Sequence, residues 1–346
     1  MKQKELFKLL DEVQEKEDIP VAKRHDKVLL IDGLNLFFRN FAMLNMVNPD
    51  GVHIGGLGGF LRSLGALIRQ ISPTAVYIVF DGEGSSINRK NINADYKADR
   101  NLQRITNWEV FEDVSDEHDS KVDQLVRLVQ YLKCLPVKIL SIDKVEADDI
   151  IAVLSKQLVK EYNSKVFIVS NDQDFIQLAS DDVIIYRPIP KDFYNASEVK
   201  NKYKVLAENF IIYKTLLGDM SDKIRGIKGL GEKGIHKKFP ELGQRKITLD
   251  EVFEIAESKF KDHVVYARIV QDEDRLRDNY KIMDLANPLV NEAGYKYITS
   301  VINSSLPELN KSTFANLYED DKLGGMIRHL DIWLVDCFEH FKNYKD

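Results

Sequence analysis

The chain predicts an α/β fold: a mostly parallel central sheet with helices on both faces, followed by a helical C-terminal region. Three observations carry this. Short apolar runs stop at acidic turns, helical stretches stand between them, and beyond about residue 205 only helical periodicity remains.

The opening segment, MKQKELFKLLDEVQEKED, sets Leu6, Leu9, Leu10 and Val13 on one helical face and stops near Pro20, so residues 1–20 read as an N-terminal helix. It would pack on the body or serve as a partner peptide. KVLLID (27–32) is a strand ending at Asp32-Gly33, with a helix expected from about Asn35. GGLGGFLRSLGALIRQI (55–71) reads as a helix despite its glycines, and AVYIVFDG (75–82) as a strand closed by Asp81-Gly82. Residues 83–119 are polar and poor in aliphatic side chains, which marks a long functional loop or helical insertion. Alternation resumes with a helix at about 120–134, the strand VKILSI, a helix opening at VEADD, the strand KVFIVS, a short helix at DFIQL and the strand VIIYRP. The expected division is an extension over 1–20, a sheet-containing unit over 21–215 and a helical unit over 216–346.

Composition narrows the classes. The 346 residues carry a formal net charge of -6, so a polyanion would be held by local basic stripes or by metal ions rather than by a basic coat. The two cysteines, Cys134 and Cys337, lack metal-type spacing, and no uncharged stretch is long enough to span a bilayer. Reduced thiols, a cytoplasmic setting and no membrane association are expected.

Carboxylates gather where such a sheet binds ligands, beyond the carboxyl ends of its strands. Asp32, Asp81 and the pair Asp172 and Asp174 each follow an apolar strand, and Glu146, Asp148 and Asp149 follow VKILSI by a few residues. Asp219 and Asp222 in LLGDMSDK add a further pair. Any one of these acids could be a turn residue or a helix cap. Together they repel unless cations compensate them, and an all-oxygen set with few histidines suits Mg²⁺, with Mn²⁺ as the alternative. Two such ions about 3.5–4 Å apart would activate a water and stabilise the leaving oxygen of a phosphodiester. A zinc site and a P-loop both lack their residues here.

Basic residues stand nearby. On a helix Arg89, Asn93, Tyr96, Lys97 and Arg100 would share one face, with Lys90 and Arg104 flanking it. Such a face would attract a nucleic-acid backbone, and Tyr96 could stack on a base. The glycine-rich GIKGLGEKG, directly after GDMSDK, resembles a helix-hairpin-helix turn, where Gly226, Gly229, Gly231 and Lys233 would meet a DNA phosphate, often with a bound K⁺.

Taken in order, LLIDGLNLFFR, VFDGE with DYKADR, KVEADDIIAVL, VSNDQDFIQL and LLGDMSDKIRGIKGLGEKG resemble the structure-specific 5′ nucleases of the flap endonuclease superfamily, over roughly residues 28–235. NWEVFED with IDKVEADDIIAVL is most similar to the phage-type ribonuclease H subgroup. The resemblance implies a PIN-like catalytic domain, 5′–3′ exonuclease and flap endonuclease activity, and removal of RNA primers in replication and repair. It implies that the nine acids line a two-metal centre, and that Lys97 and Arg100 meet the scissile phosphate, with Arg89 assisting. It makes 83–119 an arch over a 5′ single strand, and the glycines a grip on duplex. Expected partners are DNA with a 5′ flap or nick, an RNA–DNA hybrid, a single-stranded-DNA-binding protein and, through ELFKLL, a sliding clamp. A phage origin would make the setting the host cytoplasm. Where many relatives have Asn and Pro after GDMSD, this chain has Lys223 and Arg225; Ser170 stands one residue too far from Asp172 to be given a role. The competing readings are a non-catalytic DNA-junction binder and a PIN-like single-stranded ribonuclease.

Overall fold

The computed structural model describes residues 23–98 and 105–344. The expected N-terminal helix with its clamp peptide, and the residues Arg100 and Arg104, lie outside the described residues.

The first half is built on a six-stranded sheet. Strands β1 (Lys27–Asp32), β2 (Ala75–Val79), β3 (Lys138–Leu140), β4 (Lys165–Val169), β5 (Val183–Arg187) and β6 (Asp192–Tyr194) lie in the order β3-β2-β1-β4-β5-β6. All pairs are parallel except β5 with β6. The chain winds from β1 outward to β3, then returns to place β4 on the other side of β1. That reversal opens a crevice between the carboxyl ends of β1 and β4, where open α/β sheets bind their ligands. The edge strand β6 has no apolar run, so the sequence pattern did not reveal it.

Apolar side chains fill both faces of the sheet, because each strand sends alternate residues to opposite sides. From β1, Val28 and Leu30 join a core with helix α5 (Ala147–Tyr162), while Leu29 and Ile31 join a second core with α1 (Gly33–Met43), α2 (Gly55–Ile71) and α4 (Val114–Leu132). The glycines of α2 are a packing device: a Cβ at Gly65 would stand 2.2 Å from the Trp333 ring nitrogen.

Two expectations in the insertion change. Helix α3 (Ile87–Ile92) stops before Asn93, whose side chain accepts the Asp95 amide in a turn at 3.0 Å, and Lys97 has φ of 53°. Arg89, Asn93, Tyr96 and Lys97 therefore do not share a helical face. Helix α4 begins at Val114, earlier than expected, because the Asp113 side chain caps it and Asp116 and Glu117 favour its positive end. Its first turns carry no apolar stripe, so periodicity placed the start too late.

After α6 (Ala196–Tyr203) and α7 (Phe210–Leu217), a short β7 (Gly218–Asp219) and β8 (Ile224–Arg225) pair, and α8 (Glu232–Lys238) follows. Helices α9 (Leu249–Ser258), α10 (Val264–Gln271), α11 (Glu273–Met283) and α12 (Glu292–Asn303) extend the α5 side. Buried Lys138 fixes the end of α12, donating to the carbonyls of Val301, Ile302 and Ser304 at 2.7–2.9 Å. Helices α13 (Lys311–Asp320) and α14 (Leu330–Phe338) return to the opposite face, where Phe314, Trp333 and Phe338 pack with α2 and α4. Arg127 on α4 holds this return through Asp321 at 2.8 Å.

Gly82 sets the position of Asp81, since an added Cβ would lie 1.8 Å from the Ile142 carbonyl oxygen. Gly82→Ala is expected to destabilise the fold by roughly 1–3 kcal/mol through overpacking. An unchanged midpoint in urea denaturation would contradict this.

Candidate metal centre

Each acid is placed by the turn in which its strand or helix begins or ends. Asp32 closes β1 and caps α1, accepting the Asn35 amide at 3.0 Å. Its other oxygen accepts the Ser170 hydroxyl at 3.1 Å, and the same hydroxyl accepts the Asp172 amide at 3.1 Å. Ser170 therefore bridges the two strands at the crevice, a role its spacing in the sequence did not indicate. Asp81 accepts the Ala147 amide at 2.7 Å, which ties β2 to the positive end of α5. Glu146 stands at the N-cap of α5, with Asp148 and Asp149 in the first turn.

Two joined clefts run along this edge. The first, about 610 Å³, is lined by Asp32, Asp81, Glu146, Asp148, Asp172 and Lys97 among others. The second, about 420 Å³, is lined by Asp172, Asp219, Asp222 and Lys214, and shares Asn35, Asn171 and Asp172 with the first. Seven of the nine acids expected from the sequence thus face two adjoining spaces, with Asp172 common to both. Asp149 and Asp174 stand behind them, each paired to a buried cation.

Those cations, with Lys97, come from the insertion and from α7. Arg89 is 3 % exposed and reaches Glu146 at 2.9 Å, Asp149 at 2.8 Å and Asp148 at 3.2 Å, while its Nε donates to the Ile282 carbonyl at 2.8 Å. Tyr96 is equally buried, with its hydroxyl donating to Glu146 at 3.1 Å. Neither side chain presents a surface to nucleic acid, which corrects that expectation: the acids draw both inward. Lys97 is half-buried on Glu146 at 2.8 Å, and Lys90 is exposed. Lys214, absent from the expected set, reaches Asp219 at 2.6 Å and Asp174 at 3.0 Å. Its signal in the sequence is a lone cation in the otherwise apolar helix FIIYKTLL five residues before Asp219.

The charges remain under-compensated. Burial, then Asp81 and Asp172, push Asp32 up to about 7. Burial with Asp148 pushes Asp149, and burial with Asp172 pushes Asp174, each to about 7 despite the neighbouring cation. Asp172 is raised by burial and by Asp148 and Asp222. Asp219 goes the other way: burial would raise it, but bonds from Lys214 and Ser221 outweigh that. Among the described residues no three carboxylates already stand round one point at ligating distance, and Arg89, Lys97 and Lys214 are paired to Glu146 and Asp219 there. The donor set still fits a hard divalent ion, being all oxygen, and Glu146 Oε1 is buried with no hydrogen-bond partner among the described residues.

Beside the second cleft, the glycine hairpin joins β8 to α8. Gly229 has φ of 82°, and a Cβ at Gly226 would meet the Leu217 carbonyl oxygen at 2.0 Å, so both positions need glycine. Gly231 is the N-cap of α8 with open space around it, and Lys228, Lys233 and Lys237 are exposed. Lys223 has φ of 61° at the end of the Asp222 turn, and Arg225 is exposed on β8.

The match to known proteins agrees with this arrangement. Residues 27–204 match the model of the 5′-3′ exonuclease N-terminal resolvase-like domain. The chain belongs to that 5′-3′ exonuclease family. It is 32% identical to DNA polymerase I of Bacillus subtilis over 242 residues, covering 68% of this chain and 26% of the relative. It is 28% identical to the thermostable DNA polymerase I of Thermus thermophilus over 274 residues, covering 78% of this chain and 31% of the relative. This exonuclease-family chain therefore spans between a quarter and a third of the length of those polymerases. In fold it is similar to the flap endonuclease of bacteriophage T5 in complex with DNA and metal ions (TM-score 0.60, 19% identity, 86% of this chain and 99% of that one). It is also similar to the catalytic core of Rad2 in complex with DNA substrate (TM-score 0.51, 15% identity, 92% and 94%). Among the described residues, no helix is long and apolar enough to cross a membrane.

A pH dependence follows from the raised acids. Each binds its proton more tightly in the folded chain, so the stability contributed by the bound proton is complete below about pH 4 and lost as pH rises through about 7. Asp219 acts in the opposite sense, but only towards the acid side of that window. Metal-free protein is expected to lose stability to urea as pH rises across it, and Asp32→Asn to flatten the slope. Stability that holds level or rises there, with Asp32→Asn changing nothing, would contradict this.

Proposed function

We propose that the chain is a structure-specific 5′ nuclease, a 5′–3′ exonuclease and flap endonuclease with ribonuclease H-type activity on RNA primers, acting in DNA replication and repair. The observation that carries this reading is the set of seven carboxylates round two adjoining clefts at the sheet's switch point, with Lys97 on one side and a lysine-bearing glycine hairpin on the other. The DNA-bound T5 and Rad2 structures support a DNA substrate of this kind.

Two divalent ions, Mg²⁺ or Mn²⁺, would supply an activated water and charge for the leaving oxygen when bound. Asp32, Asp81, Glu146 and Asp148 would hold one, and Asp172, Asp219 and Asp222 the other. Asp149 and Asp174 orient Arg89 and Lys214 behind them. Lys97 stands on Glu146 at 2.8 Å and would turn its ammonium to the scissile phosphate, where charge develops. Arg100 shares that task in this reading, with Lys90 and Arg104 drawing in the 5′ strand beneath an arch over residues 83–119. Gly226, Gly229, Gly231 and Lys233 would take the downstream duplex by its phosphates, with K⁺ at the hairpin. A pure binder would gain nothing from acids beside a polyanion, since each weakens binding unless neutralised.

The proposal keeps a catalytic unit over 21–215 and a helical unit from 216, whose tail packs back on α2 and α4. It extends to a cytoplasmic setting, to a 5′ flap, a nick or an RNA–DNA hybrid as substrate, and to a single-stranded-DNA-binding protein and a sliding clamp as partners.

Digestion of a 5′-labelled, RNA-primed flap duplex tests this. Products from the 5′ side are expected only with Mg²⁺ or Mn²⁺. Glu146→Gln with Asp148→Asn should abolish them while leaving DNA binding, and Lys97→Ala should cost about 10²- to 10³-fold in kcat. Tight binding without cleavage in either metal would favour the junction binder. Cleavage of single-stranded RNA in preference to the flap would favour the ribonuclease.

A further inference from the structure

Helix α11 makes polar contacts with both functional regions. On its outer turns Asn279, 1 % exposed, donates to the Arg225 carbonyl at 2.9 Å, and Arg275 donates to the same oxygen. A buried amide is costly unless bonded, so Asn279 is committed to the strand that leads into the glycine hairpin. One turn further on, the Ile282 carbonyl accepts Arg89 Nε at 2.8 Å, and the Met283 carbonyl accepts the Gln177 side chain at 2.8 Å. The same Gln177 amide donates to the Asp174 carbonyl at 2.8 Å, and its oxygen accepts the Leu285 amide at 3.0 Å. The Leu289 amide then donates to Asp149 at 3.0 Å.

Every link in this chain of contacts has little slack. Asn279 and Ile282 are three residues apart on one helix, about 4.5 Å along a rigid backbone. Arg89 spends its donors on three carboxylates and that single carbonyl. If the Ile282 carbonyl shifts, Arg89 must tilt, and Glu146 and Asp148 move with it.

We infer that α11 couples the hairpin to the acidic cluster, and that Asn279 and Gln177 are positioning residues that make the cleavage rate depend on duplex seated at the hairpin. The inference rests on the nuclease reading above. Duplex held against the hairpin braces the Arg225 carbonyl, α11 carries that constraint to Arg89 and Gln177, and the carboxylates of both clefts stay in place. Substrates too short to reach the hairpin lack the brace and are cut more slowly at saturation, not merely bound more weakly.

The test compares two flap substrates, one with a long downstream duplex and one with that duplex cut to a few base pairs, in Mg²⁺. Wild type should show a higher kcat on the long substrate. Asn279→Leu should lower kcat on the long substrate by about tenfold, towards the short-substrate value, with KM and the short-substrate rate unchanged; misplacements under 1 Å at a reacting centre carry costs of this size. Arg275→Ala, which removes the second donor to the Arg225 carbonyl from a partly exposed position, should act in the same direction with a smaller drop. A rise in KM with kcat unchanged would reduce these residues to local supports of the hairpin and overturn the inference. So would an equal loss on both substrates. If wild type cuts neither substrate, the nuclease reading itself fails, and this inference with it.

Discussion

Mutual repulsion among carboxylates crowded at one edge of a parallel sheet is the constraint on which the rest of this structure depends. Strand ends of a doubly wound sheet converge, so acids placed there lie close whether or not that is favourable. Among the described residues three cations oppose the repulsion: Arg89 and Lys97 from the insertion, and Lys214 from α7. Even so, Asp32 and Asp174 are pushed up to about 7, so neutralisation by the described side chains is incomplete. A compensating ion with its own charge is the natural completion of such a site.

The remaining architecture keeps those charges where they are. Ser170 joins the ends of β1 and β4, and Asp81 fastens β2 to the start of α5. Helices α9 to α12 cover the α5 face, while α13 and α14 cross back to close the opposite one. The carboxyl edge thereby gains a rigid floor, and the polar insertion and the hairpin stand on either side of it. Clefts with a fixed acidic floor and basic flanks can bind a phosphodiester and its ions together, which neither feature alone could do.

Much of this is legible in the sequence, for identifiable reasons. Five strands are apolar runs, four of them running into Asp or Ser, and parallel topology brings the acids at and just beyond their ends to one edge. The hairpin is legible because Gly226 and Gly229 occupy positions no other residue could take without strain. What stayed hidden depends on tertiary contact. Arg89 and Tyr96 look like a cationic, stacking surface in one dimension and are drawn inward by acids from α5. Lys214 reveals itself only when Asp174 and Asp219 are seen on either side of it. The strand β6 and the return of α13 and α14 have no local signal of their place, since pairing and packing partners lie far away in sequence.

The most direct test of this account is calorimetric titration of the protein with Mn²⁺ near pH 7 in two buffers of different ionisation enthalpy. Acids that share protons for want of a cation must surrender them when one binds. The account therefore predicts binding accompanied by net proton release into both buffers. Absence of binding, or binding with no proton exchanged, would contradict the claim that under-compensated carboxylates at the sheet's edge form the metal centre.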